Sequence, residues 1–315
     1  KCVGLDADAA SVHMLDTTTN AESTVDGDVI LGADGAFSAV RRHMQTMDRF
    51  DYQQDHLKHG YKELSIPAGP DGHHTLEKNA LHIWPRRSFM MIALPNIDGS
   101  FTCTIFMNLD GPDGLMAERN ETDVSRFLND NFPDAIPHMP TAIEDFMRYP
   151  ASSLMTVRCS PWHVRDKVVL IGDACHAIVP FFGQGINAGF EDCVILRDCM
   201  EEQPSNLQEA FATYHRRRKP HTDALADLSI ANFVEMRDHA SSPAFLRKKK
   251  RERRLHEWLP NWYHPLYSMV TFSRIPYADA VSQSESKERT VGLVLRCLSM
   301  IPMLMALCLA LWLLR

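Results

Sequence analysis

The stretch Lys167-Val-Val-Leu-Ile-Gly172-Asp173-Ala-Cys-His176-Ala-Ile-Val-Pro180-Phe-Phe-Gly183-Gln-Gly185-Ile-Asn187-Ala-Gly189-Phe-Glu191-Asp192 decides the fold. Its opening, Lys167 to Ile171, reads as a short strand of the kind a parallel sheet buries on both faces. Gly172 lets the strand end tightly, so Asp173 projects from its carboxyl end, where open α/β sheets bind ligands. A carboxylate there suits a polyol chain. Pro180 to Gly185 is an apolar, glycine-containing loop. A helix opening near Gln184–Asn187 offers free backbone N–H groups and a positive dipole end, a seat for an anion.

Working outward, a second strand–turn–helix unit lies far upstream: Val29-Ile-Leu-Gly32-Ala-Asp34-Gly35-Ala-Phe-Ser38-Ala-Val-Arg41. The helix is expected from Ala36 to about Met44. Asp34 is placed either to accept from a sugar hydroxyl or to cap the turn, and Arg41 to meet a phosphate. Alone, Asp-Gly after a strand is an ordinary turn. Gly183-x-Gly185-x-x-x-Gly189 imitates a dinucleotide fingerprint. It follows its strand by about a dozen residues and lacks an acidic partner ~20 residues on, so it fails that test.

Between the two units the text is β-rich. Leu81–Trp84, Phe89–Leu94 and Phe101–Phe106 are broken by Pro, Gly and Asp turns, which predicts an antiparallel sheet. Val3–Leu5 and Val12–Leu15 predict a hairpin around Asp6–Ala10. Asp113–Phe132 and Thr141–Met147 read as helices, and Ser153–Val157 as a returning strand. Helices dominate after Gly185, including one over Leu207–His239 with a kink or break at Pro220. The fold class is therefore α/β: a partial, discontinuous nucleotide-binding Rossmann-like domain, an inserted antiparallel substrate sheet, C-terminal helices and a membrane helix. The expected divisions are 1–50 and 161–205 for the nucleotide-binding domain, 51–160 for the sheet, 206–290 for the helical region and 291–314 for a transmembrane anchor.

That anchor rests on Val291–Leu314, a run of about 24 residues, long enough to span a bilayer core. From Cys297 to Leu314 it carries no charge. The basic run Arg247-Lys-Lys-Lys-Arg-Glu-Arg-Arg254 suits a solvated helix face or an anionic leaflet, and a nuclear targeting signal is a third reading that the membrane run disfavours. The whole chain has 315 residues and a net charge of −7, which argues against a nucleic-acid binder. Its 8 Cys include no Cys-x-x-Cys, so neither a zinc ribbon nor a thioredoxin-type redox motif is expected, and so sparse a set is no disulfide scaffold. His73–His74 lack partners at metal-ligand spacing. The chain opens on Lys1 with no signal peptide, so an N-terminal piece carrying the pyrophosphate fingerprint is expected upstream.

The two motifs at their wide separation resemble the Asp-Gly and Gly-Asp motifs of the flavin-dependent aromatic hydroxylases. The match extends from about Val29 to Ala280. Its segments include His59–Leu64, Leu81–Arg86, Phe89–Asn96, Asn131–Pro137, His176–Gly185 and Met269–Phe272, which are similar to the kynurenine-hydroxylating branch of that family. The resemblance implies FAD as cofactor, NADPH and dioxygen as co-substrates, and L-kynurenine hydroxylated at position 3 through a C4a-hydroperoxyflavin. Asp34, Arg41, Asp173, Gly185, Ile186 and Asn187 are the implied cofactor residues. Asn232 and Tyr267 match residues that bind the amino-acid end of the substrate. Phe181, Phe182 and Glu235 look like pocket walls. Two further substrate ligands, an Arg and a Tyr, are expected before Lys1, so this chain by itself is not expected to turn over.

The flavin carries the chemistry, so no catalytic side chain is assigned and His176 is expected to be structural. No metal and no nucleic acid are expected as partners. The resemblance also implies an anchor in the mitochondrial outer membrane, with the catalytic head facing the cytosol. Two alternatives are another membrane-anchored flavin hydroxylase or epoxidase, and a non-catalytic membrane-attached binding protein.

Overall fold

The computed structural model describes residues 1–239 and 242–313, without the side chains of 238, 239, 298 and 301–313. The expected hairpin forms from β1 (Cys2–Asp6) and β2 (Ser11–Leu15). A further strand, β3 (Glu22–Asp26), pairs antiparallel with β2. Every residue of β3 is exposed, so no apolar alternation marks it in the sequence.

β4 (Ile30–Gly32) leads to α1 (Ala39–Met44). The helix starts at Ala39, not Ala36, because Ser38 is its N-cap and accepts the Arg41 amide on Oγ at 2.9 Å. β5 (Asp51–Ile66), β6 (His82–Arg86), β7 (Phe89–Pro95), β8 (Phe101–Asn108) and β9 (Ser152–Ser160) build a 5-stranded sheet in the order β6-β7-β8-β5-β9. All its pairings are antiparallel. α2 (Glu121–Asn131) and α3 (Ala142–Arg148) cover one face, where Val124, Leu128 and Phe146 meet Leu64, Met91 and Ile105. The helix expected from Asp113 begins only at Glu121. Gly111 takes a left-handed φ of 96°, the Gly114 amide bonds back to the Gly111 carbonyl, and Asn120 caps the true start.

β10 (His163–Val164) and β11 (Val168–Leu170) follow, and β11 lies parallel to β4. This is the expected buried strand: Val168, Val169 and Leu170 have no exposed surface. α4 (Asp173–His176), a 3₁₀ turn over Pro180–Phe182 and α5 (Gly185–Glu202) come next. α6 (Leu207–Val234) passes through Pro220 without a break and continues as a π-helical stretch, Glu235–His239. Arg218 and Thr222, both buried, hold the helix on either side of the proline. α7 (Pro243–Trp258), α8 (Leu266–Phe272) and α9 (Tyr277–Leu313) complete the fold.

The α/β core centres on Trp162 and Tyr214. The Trp162 indole N–H donates to the Cys159 carbonyl at 2.9 Å, and the Tyr214 hydroxyl donates to the Leu170 carbonyl at 3.3 Å. Among the described residues no helix is long and apolar enough to cross a membrane. Of the expected anchor 291–314, the side chains from 301 onward and residue 314 altogether lie outside the described residues.

Candidate functional site: a strand-end face and an aromatic wall

The parallel pairing sets Ile30 opposite Val168 and Gly32 opposite Leu170. The two motifs therefore end side by side at the carboxyl edge of one sheet, the place where open α/β sheets hold ligands. Glycine is required at two points there. A Cβ on Gly32 would lie 2.7 Å from Leu170 Cδ2 and 2.9 Å from Val40 Cγ1. Gly172 has φ 62°, and a Cβ on it would lie 4.0 Å from the Gly189 Cα of α5. The strand end and the helix thus approach backbone to backbone.

Asp173, directly after that turn, is exposed, and its carboxylate has no hydrogen-bond or ion-pair partner among the described residues. The start of α5 has no side-chain cap. Ile186 is exposed, and a Cβ on Gly185 would meet nothing within 4 Å, so the first turn opens outward. Asn187 donates from Nδ2 to Gln184 Oε1 at 2.9 Å, which orients its side chain along the helix end. An accepting carboxylate beside outward N–H groups fits a polyol joined to an electron-rich ring.

The residues of the upstream motif lie differently from the sequence expectation. Asp34 caps α1: it accepts from Ser38 Oγ and from the amides of Ala39 (2.7 Å) and Val40 (3.2 Å). Arg41 does not reach outward to a phosphate. It is buried, and its guanidinium donates to the carbonyls of Ala174 (2.7 Å) and Ala36 (2.6 Å) and stacks over Tyr52. It ties α1 to α4 and leaves its Nε without a partner.

Behind the strand end sits a buried ion network that sequence reading missed. Asp192, with no exposed surface, accepts from the Gly172 amide at 3.0 Å, from His176 Nε2, and from Arg218 Nε at 2.7 Å. Arg218 also pairs with Glu191 at 2.6 Å. Burial works to raise the Asp192 carboxyl, but the hydrogen bonds and charges of His176 and Arg218 outweigh it and hold it below the usual carboxylate range. His176 thereby links α4 to α5 through Asp192. Cys175, His176 and Asp192 bring ligand atoms within 4.8 Å of one another. Arg218 already occupies Asp192, and burial pushes the Cys175 thiol up, so the group is a poor cation site.

The loop Pro180–Phe182 joins this face to a second one. Phe181 stacks on Phe233 with centroids 4.3 Å apart and meets Phe106 of β8 at 4.9 Å. Phe182 stacks on Tyr267 at 5.5 Å. Asn232 donates from Nδ2 to the Phe181 carbonyl at 2.7 Å, so it holds the loop in place. Glu235, one turn further on, pairs with Lys249 at 3.0 Å and is not a bare wall. The expected residues Phe181, Phe182, Asn232 and Tyr267 are thus brought together. Phe106, Phe233 and Gln184 belong to the same assembly. The alternation of β8 and the neighbour position of Phe233 to Asn232 were the signals available for the first two.

A sheet-covered strand-end site of this kind defines the class: the fold is that of the FAD-binding flavoprotein hydroxylases. The chain belongs to the FAD binding domain family, whose model matches residues 2–229. It is 46% identical over 287 residues to kynurenine 3-monooxygenase of Flavobacterium psychrophilum, covering 91% of this chain and 64% of that protein. It is 48% identical over 275 residues to kynurenine 3-monooxygenase of Dictyostelium discoideum, covering 84% and 60%. Among solved structures, 2-methyl-3-hydroxypyridine-5-carboxylic acid oxygenase superposes with a TM-score of 0.60 at 23% identity, over 78% of this chain and 63% of that one, a likeness of fold. The chain therefore spans under two thirds of the length of these relatives.

Proposed function

We propose that this chain is the larger part of a flavin-dependent monooxygenase that hydroxylates L-kynurenine to 3-hydroxykynurenine, consuming NADPH and dioxygen. The observation that carries the reading is the single loop Pro180–Phe182. It runs from the strand end at Asp173 to the uncapped start of α5, and its rings are packed by Phe233 and Tyr267. The named relatives support the substrate.

When bound, FAD supplies the redox and oxygen-transfer chemistry. Asp173 would hold its polyol chain, and the backbone of Gly185, Ile186 and Asn187 its ring. The protein's own work is placement and the exclusion of water. Phe106, Phe181 and Phe233 form a dry wall beside the α5 start. Asn232 keeps that wall fixed through the Phe181 carbonyl. Tyr267, half-exposed beside Phe182, would meet the polar end of an amino-acid substrate.

The run Val291–Leu314 anchors the protein in the mitochondrial outer membrane, with the head facing the cytosol. Its length and the absence of charge from Cys297 to Leu314 support a bilayer anchor, and the organelle follows from the family resemblance. The test is made on the full-length protein in detergent. L-kynurenine is added, NADPH oxidation is followed, and the product is weighed by mass spectrometry. A product one oxygen heavier supports the reading. Flavin-dependent NADPH oxidation that yields only hydrogen peroxide, with or without kynurenine, refutes the substrate.

A further inference from the structure

α7 concentrates charge in a way the rest of the molecule does not. Pro243–Trp258 carries seven Lys or Arg against two Glu, a net of five positive charges on 16 residues of a chain whose net charge is −7. The helix is also two-faced. On its inner side Lys249 pairs with Glu235 at 3.0 Å and Arg251 with Glu288 of α9 at 2.6 Å. Tyr263 donates to the same Glu288 at 2.6 Å, and Glu252 is only 13% exposed. These contacts fix which face points outward.

At about 100° per residue, Leu246, Arg247, Lys250, Arg253, Arg254, Glu257 and Trp258 fall on one arc of roughly 140°. Arg247, Lys250 and Arg254 have no ion-pair partner among the described residues. Large apolar side chains bracket them: Leu246 is 49% exposed at one end, and Trp258 is 75% exposed at the other, followed by Leu259. A solvated helix face has no reason to expose a tryptophan beside uncompensated cations. Cations with Trp and Leu at their margin match a helix lying in the headgroup plane of an anionic bilayer.

We propose that the outer face of α7 is a peripheral docking surface for anionic phospholipid, distinct from the apolar run at the end of α9. It would hold the substrate side against the bilayer, because Lys249 links α7 to Glu235 in the π-helical stretch that follows α6. The inference deepens the membrane reading above and is separable from it.

The test measures partition coefficients of the full chain, at high lipid dilution, into vesicles of neutral phosphatidylcholine and into vesicles containing phosphatidylserine. The ratio of the two cancels the apolar contribution of that run, and the gain from its Arg296 is what remains in the triple variant. Each cation near an anionic surface is worth about a five-fold gain, so the three unpaired ones predict a ratio on the order of 100 at low salt. That ratio should fall by most of its value in R247E/K250E/R254E and collapse toward one at high salt. Quenching of tryptophan emission by brominated lipid should fall in W258F. Equal partitioning into both vesicles, or a ratio retained by the triple variant, overturns the proposal. Retention on duplex DNA with no gain on anionic vesicles also overturns it, in favour of a nucleic-acid face. Absence of binding to neutral vesicles would count against the apolar anchor alone.

Discussion

Replacing Arg218 by Met tests whether the buried ion network holds the cofactor face. Arg218 is 1% exposed, and its guanidinium meets Asp192 at 2.7 Å, Glu191 at 2.6 Å and the Ala188 carbonyl at 3.2 Å. Methionine keeps much of the apolar stem and leaves Asp192, which has no exposed surface, with the His176 ring as its one remaining side-chain partner among the described residues. Breaking such a pair from one side costs about 3–5 kcal/mol. The exposed pair Arg217–Glu202 is the control: solvent screens it, so E202A should leave stability essentially unchanged.

The pH dependence follows with a definite sign. In the native chain Asp192 titrates below its unfolded value of 3.8, so its contribution is present above that pH and is lost as pH falls through the lower folded value. In R218M the lowering effect of the guanidinium is gone while burial and the His176 hydrogen bond remain, so the folded carboxyl titrates higher than in the native chain. In the interval between the two folded values the variant holds a proton that the native chain has released, so its deficit grows as pH rises through that interval. Urea unfolding of both chains at several pH values, followed by circular dichroism, measures this. A deficit under about 1 kcal/mol at neutral pH, or one that shrinks as pH rises, would refute the assignment of Arg218 as the charge that keeps Asp192 ionised. The Gly172 amide is held by Asp192, so loss of flavin affinity in R218M should accompany the loss of stability.

Three further outcomes are expected. G32A should lower stability by about 1–3 kcal/mol, read as a thermal shift, because the new Cβ would lie 2.7 Å from Leu170 Cδ2. In the full-length protein D173A should lower flavin content, whereas Y267F should leave flavin content intact and raise KM for kynurenine; the reverse pattern would exchange their roles. Burial, with His163 and Lys219 nearby, depresses the His215 imidazole from 6.5 to about 4. Its stabilising effect is present above pH 6.5 and is lost as pH falls from there to about 4, by roughly 2 kcal/mol after allowance for partial exposure, and H215Q should flatten that part of the stability curve.

Strands whose two faces are both buried, or whose faces alternate, were legible from residue order. β11 and the β7–β8 pair are of this kind, because burial demands apolar side chains at fixed spacing. β3 was not, since it is exposed throughout and its place depends on the edge that β2 offers. The Asp173 turn and the α5 opening could be read as a candidate ligand seat because glycine, acid and helix start are local features. Arg41 shows the limit. Residue order placed it on the first turns of α1, but whether a guanidinium points to a ligand or to the Ala174 carbonyl depends on α4, more than a hundred residues away. Asn232 likewise holds the Phe181 carbonyl only because α6 passes behind that loop. Local chemistry determined the strand ends, the turns and the identity of the loop residues, because those depend on sterics and periodicity within a few positions. Which side chains are free for a ligand, and which are consumed by the fold, was decided by tertiary packing, because a buried polar group takes the nearest partner that the folded chain presents.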